Sequence, residues 1–170
     1  MENTGVHIIY LAGGCFWGIE EYFRQLKGVL VTEVGYANGD RPDPRYEDLI
    51  AHRVDHAETV KVIYDSSIIS LAMLLEHFLR IVDPYSLNRQ GHDVGIQYRS
   101  GVYYINEEDH KVIADFFAKA NLHPSRPFAI EVQALRNFYR AEEYHQDYLL
   151  KNPSGYCHVD MRKIKKEERK

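Results

Sequence analysis

Val6-His7-Ile8-Ile9-Tyr10-Leu11-Ala12-Gly13-Gly14-Cys15-Phe16-Trp17-Gly18-Ile19-Glu20-Glu21-Tyr22-Phe23 contains the change of period on which the fold turns. Val6 to Leu11 is apolar and partly β-branched, as a buried strand is, and Gly13-Gly14 ends it. From Cys15 onward Phe16, Ile19, Phe23 and Leu26 recur at helical spacing, with Glu20, Glu21, Arg24 and Lys27 elsewhere. A helix is therefore predicted to start at or beside Cys15.

Outward from this unit, Val29 to Tyr36 reads as a second strand. Asn38 to about His56 forms a long polar, turn-rich loop, a length more often functional than filler. Thr59 to Tyr64 alternates as a strand, and Leu71, Leu74, Leu75, Phe78 and Val82 mark a helix stopped by Pro84. Ser86 to Gly95 is polar and precedes a strand around Gln97 to Ile105. Val112 to Ala120 gives a helical stripe and Phe128 to Ala134 alternates as a strand. Phe138, Ala141, Tyr144, Tyr148 and Leu149 are predicted as a last helix, closed by Pro153 and Gly155. The order, β-α-β-β-α-β-α-β-α, suits an α+β domain: a ferredoxin-like core whose mixed, mainly antiparallel sheet is flanked by helices and long functional loops.

Composition bounds the rest. The 170 residues, 45% hydrophobic and 27% charged, fit a single globular domain (residues 1–170). The net charge of -4 is uneven: Arg162 to Lys170 carries six basic and two acidic side chains, leaving 15 basic against 23 acidic elsewhere. So acidic a body argues against nucleic acid as a partner. Nothing approaches ~18 uninterrupted apolar residues, so no membrane span is expected. Leu11-Ala12-Gly13-Gly14-Cys15 imitates a lipoprotein cleavage box, but no basic start and only a short apolar run precede it. A reducing cytoplasmic setting is expected, in which Cys15 and Cys157 are thiols or a working redox pair.

A cysteine at a strand-to-helix junction has a specific chemical prospect. Unpaired amides at a helix start stabilise negative charge, so Cys15 is expected to hold its thiolate near neutral pH. Phe16 and Trp17 would form an apolar wall beside it. Taken alone, Cys15 reads equally well as a small buried hydrophobe.

The segment Gly14-Cys15-Phe16-Trp17-Gly18 matches a signature of the A-type peptide methionine sulfoxide reductases, and the chain resembles that family along nearly its whole length. Gly35-Tyr36-Ala37-Asn38-Gly39, Tyr46-Glu47, His56-Ala57-Glu58, Gln97-Tyr98-Arg99-Ser100 and Asn152-Pro153-Ser154-Gly155-Tyr156-Cys157 follow in family order. The resemblance implies reduction of methionine S-sulfoxide, free or in proteins, with Cys15 as the nucleophile. It implies Glu58 as the proton donor, Tyr46 and Tyr98 as the hydroxyls holding oxygen and acid in place, and Asp93 as an orderer of water and neighbouring groups. Phe16 and Trp17 would receive the substrate methyl. Cys157, on a mobile segment from about residue 151, would resolve the sulfenic acid, and thioredoxin or a small dithiol would reduce the disulfide. No prosthetic group or metal is implied, and a monomer is expected.

Some positions depart from the family pattern. No further recycling cysteine follows Cys157. His92 stands where Asn is more frequent, Ile96 where Thr is frequent, and Asp55 where glycine is common. Two other readings compete: a papain-like thiol hydrolase with His145 or His158 as base, and a non-catalytic module binding methionine-containing peptides through Phe16 and Trp17. His52 and His56, four apart, are too few for a metal site by themselves.

Overall fold

The computed structural model describes residues 5–170. Strand β1 (Val6–Ala12) lies inside a six-stranded sheet, between β3 (Ala57–Asp65) and β6 (Gly101–Tyr104), antiparallel to both. Beyond β3 comes β2 (Val29–Ala37), also antiparallel. With α1 (Phe16–Arg24) between β1 and β2, and α3 (Leu71–Ile81) between β3 and β6, these elements form the expected βαββαβ core.

Alternation along β1 sorts its side chains onto two faces. Ile9 and Leu11 pack with Val34, Val60 and Val62, with Phe16, Ile19 and Phe23 of α1, and with Leu74, Leu75 and Phe78 of α3. Tyr10 and Ala12 point the other way and pack with Ala37, Ala57, Tyr103 and Phe138. Helix α3 starts where Ser70 Oγ accepts from Met73 N at 3.1 Å. Helix α4 (Glu107–Ala120) starts where Asn106 Oδ1 accepts from Asp109 N at 2.8 Å, with Glu107, Glu108 and Asp109 complementing the positive helix end. It leads to β7 (Glu131–Ala134), which pairs with β6 in parallel and makes the sheet mixed.

The long loop is not wholly irregular: Tyr46–Ile50 forms a short helix, α2. Ser86 to Gly95 contains a small hairpin, β4 (Arg89–Gln90) and β5 (Asp93–Val94). The strand expected from Gln97 begins only at Gly101. Ile96–Tyr98 is a 3-10 turn because Arg99 anchors it, donating from Nη1 to Ile96 O at 3.0 Å and to Asp55 O at 2.8 Å.

The helix expected over 138–149 is a misreading. Phe138–Arg140 is strand β8, paired with β2. A 3-10 turn (Glu143–His145) follows, and only Tyr148–Lys151 is helical, as α5. The cause is visible at Gln146, whose side chain accepts from Val34 N (3.0 Å) and donates to Val34 O (2.9 Å) and Ala141 O (3.0 Å). It satisfies backbone groups of β2 that a helix could not reach.

Residues 152–170, within the expected mobile segment, lie against the body. Val159 and Ile164 are buried, Arg80 forms a two-bond ion pair with Glu168 (2.8 and 3.0 Å), and Lys170 N donates to Gln25 O at 3.0 Å. Among the described residues no helix is long and apolar enough to cross a membrane.

Candidate active site

Cys15 occupies the N-cap of α1, immediately after Gly14, whose φ of +88° is left-handed. A side chain at Gly14 would be strained in that conformation, and its Cβ would come within 2.8 Å of Gln90 Cβ and of His158 Nε2. The turn thus lets the chain leave β1 and enter α1 in three residues, Gly13, Gly14 and Cys15, with the thiol at the junction. Cys15 is 8% exposed and both cysteines are free thiols.

Glu58, 2% exposed, stands at the start of β3 on the face that carries Val60 and Val62, opposite Tyr36 in the register. Its Oε1 accepts from the amide of Phe16 at 3.1 Å, so the residue after Cys15 is tied to the carboxyl. Burial pushes the Glu58 pKa up to about 8; the Phe16 amide opposes this and Asp93 adds to it. The group is mainly protonated at neutral pH.

The surroundings of Cys15 do not favour the expected thiolate. Burial raises the Cys15 pKa above the ordinary thiol range, and the Glu58 carboxylate raises it further, against the pull of the Trp17 amide. Because Glu58 is mostly neutral at pH 7, its repulsion is largely absent there and burial remains the main cause. Burial therefore favours the neutral thiol of Cys15 at neutral pH. One helix-start amide is spent on Glu58, so part of the stabilisation expected for an anion goes to the neighbouring acid.

The tyrosines converge on the same pair. Tyr46, first residue of α2, and Tyr98, last of the 3-10 turn before β6, are half-buried. Both phenols are raised by burial first, then by Glu58, with Cys15 also contributing. Asp93, in the β4–β5 hairpin, accepts from Tyr156 OH at 3.1 Å and lies 3.8 Å from His158 Nδ1. Phe16 is sealed at 1% exposure, between Tyr36 and His145. Trp17 is half-buried and stacked on Tyr148 at 3.7 Å and 11°. Cys157 donates to Val159 O at 3.3 Å, and its sulfur lies 3.2 Å from where a Cβ on Gly18 would stand. The second thiol therefore lies against the first turn of α1, the helix that Cys15 caps.

Three further side chains pack against these residues; the sequence singles out neither Glu142 nor Tyr148 for the site, and His145 only as a hydrolase base. Glu142 accepts from Tyr36 OH (2.7 Å) and Tyr46 N (3.0 Å), fixing the start of α2. His145 Nδ1 accepts from Trp17 Nε1 at 2.9 Å, and its ring meets Tyr46 edge-on at 4.4 Å. Tyr148 supplies the stack. All lie in the stretch misread as one helix; only aromatic density marks it. Neither histidine that a hydrolase would use as base is set up as one. Burial pulls His145 down to about 4, and His158 Nε2 donates to Gly13 O at 2.9 Å. Among the described residues one group of metal-ligating side chains comes together, Asp40, Asp55 and His56, and it includes none of the residues above.

The sequence pattern described as "Peptide methionine sulfoxide reductase" matches residues 7–170. The chain belongs to this family. Peptide methionine sulfoxide reductase MsrA of Ureaplasma parvum serovar 3 is 51% identical over 161 residues, covering 95% of this chain and 98% of that protein. Among solved structures, Mxr1 from Saccharomyces cerevisiae in reduced form superposes with a TM-score of 0.85 at 36% identity, over 94% of this chain and 96% of the other. Mxr1 in complex with Trx2 matches with a TM-score of 0.59 at 27% identity, over 84% of each chain.

Proposed function

We propose that the family's reaction, thiol-dependent reduction of methionine S-sulfoxide, free or in proteins, runs in this chain through Cys15 as nucleophile and Glu58 as proton donor. The observation that carries the assignment is the Phe16 amide bonded to a buried, protonated Glu58, one residue from the thiol. As the Cys15 sulfur attacks the sulfoxide sulfur, Glu58 gives its proton to the oxygen and takes up the thiol proton, remaining neutral overall. The oxygen passes to Cys15, which becomes a sulfenic acid; the substrate sulfur gains two electrons and leaves as a thioether. Tyr46 and Tyr98 hold the oxygen, and Asp93 orders water beside it. Trp17, the more exposed of the two aromatic residues, faces the methyl group, with Phe16 as the floor.

Cys157 then attacks the Cys15 sulfur: the S–S bond forms, the S–O bond breaks, and oxygen leaves as water. A thioredoxin-type dithiol or a small dithiol returns both cysteines to thiols, with no prosthetic group required. The Trx2-bound state of Mxr1 supports that source of electrons. The chain works as a monomeric single domain in a reducing compartment such as the cytoplasm, with residues 151–170 shifting enough to bring Cys157 onto Cys15. An epimer-resolved assay on a sulfoxide dipeptide tests the scheme. Cys15→Ser should abolish turnover of the S epimer. Cys157→Ser should complete one turnover and stall with thioredoxin while dithiothreitol restores cycling. Steady thioredoxin-driven cycling by Cys157→Ser would refute the resolving role.

A further inference from the structure

Position 55 carries a carboxylate at the end of the long loop, and Asp40 carries one near its start. Asp40 N donates to Asp55 Oδ1 at 2.8 Å, drawing the two ends together. One oxygen of each carboxylate and one ring nitrogen of His56 lie within 4.8 Å of one another. Both carboxylates are exposed, and two anions so close repel, a repulsion that either a shared proton or a cation between them relieves.

His56 supplies an independent observation. Its ring is fully buried and pressed on the backbone of Gly39, where any Cβ would overlap the imidazole. Nε2 lies 2.9 Å from Arg41 O. A carbonyl only accepts, so Nε2 carries the proton and Nδ1 of the neutral ring is a bare lone pair. Nδ1 is buried and has no hydrogen-bond partner among the described residues. A histidine held through one nitrogen by a backbone carbonyl, with the other buried and unpaired, has the tautomer that metal-bound histidines have.

We propose that Asp40, Asp55 and His56 form a divalent transition-metal site, with His56 Nδ1 and one oxygen from each carboxylate as ligands and water completing the shell. One nitrogen with two carboxylates suits Mn²⁺, Co²⁺ or Zn²⁺ better than Ca²⁺, which takes six to eight oxygens. Two guanidinium groups stand against the cation. Arg99 is matched by Glu131 at 2.7 Å, and Arg41 is exposed to solvent, so the site is of modest affinity. A bound cation would clamp the ends of the loop that carries α2 and Tyr46.

The test is titration of the full, reduced chain with Mn²⁺, followed by the loss of the free-ion electron paramagnetic resonance signal. Mn²⁺ is chosen because carboxylate and imidazole hold it better than the thiolates of Cys15 and Cys157 would. One ion per chain is expected, bound at least about tenfold more weakly by Asp55→Asn and by Asp40→Asn. Mn²⁺ should broaden the amide resonances of residues 39–40 and 55–57, and raise the Tm of the parent more than that of either variant. Absent binding, equal affinity in the variants, or broadening centred on Asp93 would each overturn the site.

Discussion

The two thiols are mounted in opposite ways. Cys15 stands where β1 ends, α1 begins and β3 enters, and its surroundings follow from backbone geometry: the register pairs Leu11 with Val60 and Tyr36 with Glu58, and the Phe16 amide closes the gap. Cys157 lies between α5 and a 3-10 turn, in a stretch with no strand or helix. Val159 anchors that stretch in the core, and three hydrogen bonds add to it: Tyr156 OH to Asp93, Cys157 Sγ to Val159 O, and His158 Nε2 to Gly13 O. Cys15 is fixed at the junction of strand and helix, while Cys157, proposed to approach it, is held by side-chain bonds each worth about 1 kcal/mol and by the packing of Val159.

The sharpest way to break this contrast is Glu58→Gln. The turnover rate should fall by roughly 10²–10⁴-fold if the carboxyl delivers the proton. The parent's rate should decline as pH rises through about 8, where Glu58 loses its proton, and that decline should vanish in the variant. Stability should fall with rising pH as well. The folded-state pKa lies above the ordinary 4.5, so the folded protein holds the proton more tightly; the contribution is complete below about 4.5 and is lost as pH rises through about 8. Urea midpoints at pH 5 and pH 8.5 should show the parent losing on the order of a few kcal/mol relative to the Glu58→Gln variant. Equal pH slopes would break the reading of a desolvated acid.

Gly14→Ala probes the rigid side by strain. A left-handed φ and contacts at 2.8 Å with Gln90 and His158 should cost ~1–3 kcal/mol in thermal denaturation and slow the first turnover. The smallest effect is expected on the loose side. Tyr156→Phe removes one partly exposed hydrogen bond, costing about 1 kcal/mol or less, and should speed closure of the Cys15–Cys157 disulfide in a rapid-quench thiol count. Slower closure would show that this bond guides the segment rather than restraining it.

The same contrast governs what the sequence discloses. Strands and helices whose apolar positions face one packed layer, such as Val6–Ala12, Phe16–Arg24 and Leu71–Ile81, announce themselves by period. The stretch from Phe138 to Leu149 does not, because its aromatic residues serve a strand, a turn and a stack in succession, and Gln146 replaces backbone pairing with side-chain bonds. Cys15 and Glu58 stand out through the motifs around them. Their protonation does not, since it depends on how much of the molecule closes over them, and a helix-start argument counts amides without knowing that Glu58 claims one. The placement of His145 and Glu142 against Trp17 and Tyr46 likewise exists only after residues more than ninety positions apart have met.

The outermost strands have a bearing on the company this protein keeps. β7 has four residues and β8 three, and Glu131 and Arg140 put charge on them. Oxidised, partly unfolded chains present stretches ready to add themselves to any long open sheet edge, the route by which aggregates grow. Such abbreviated borders offer little backbone for another extended chain to zip against.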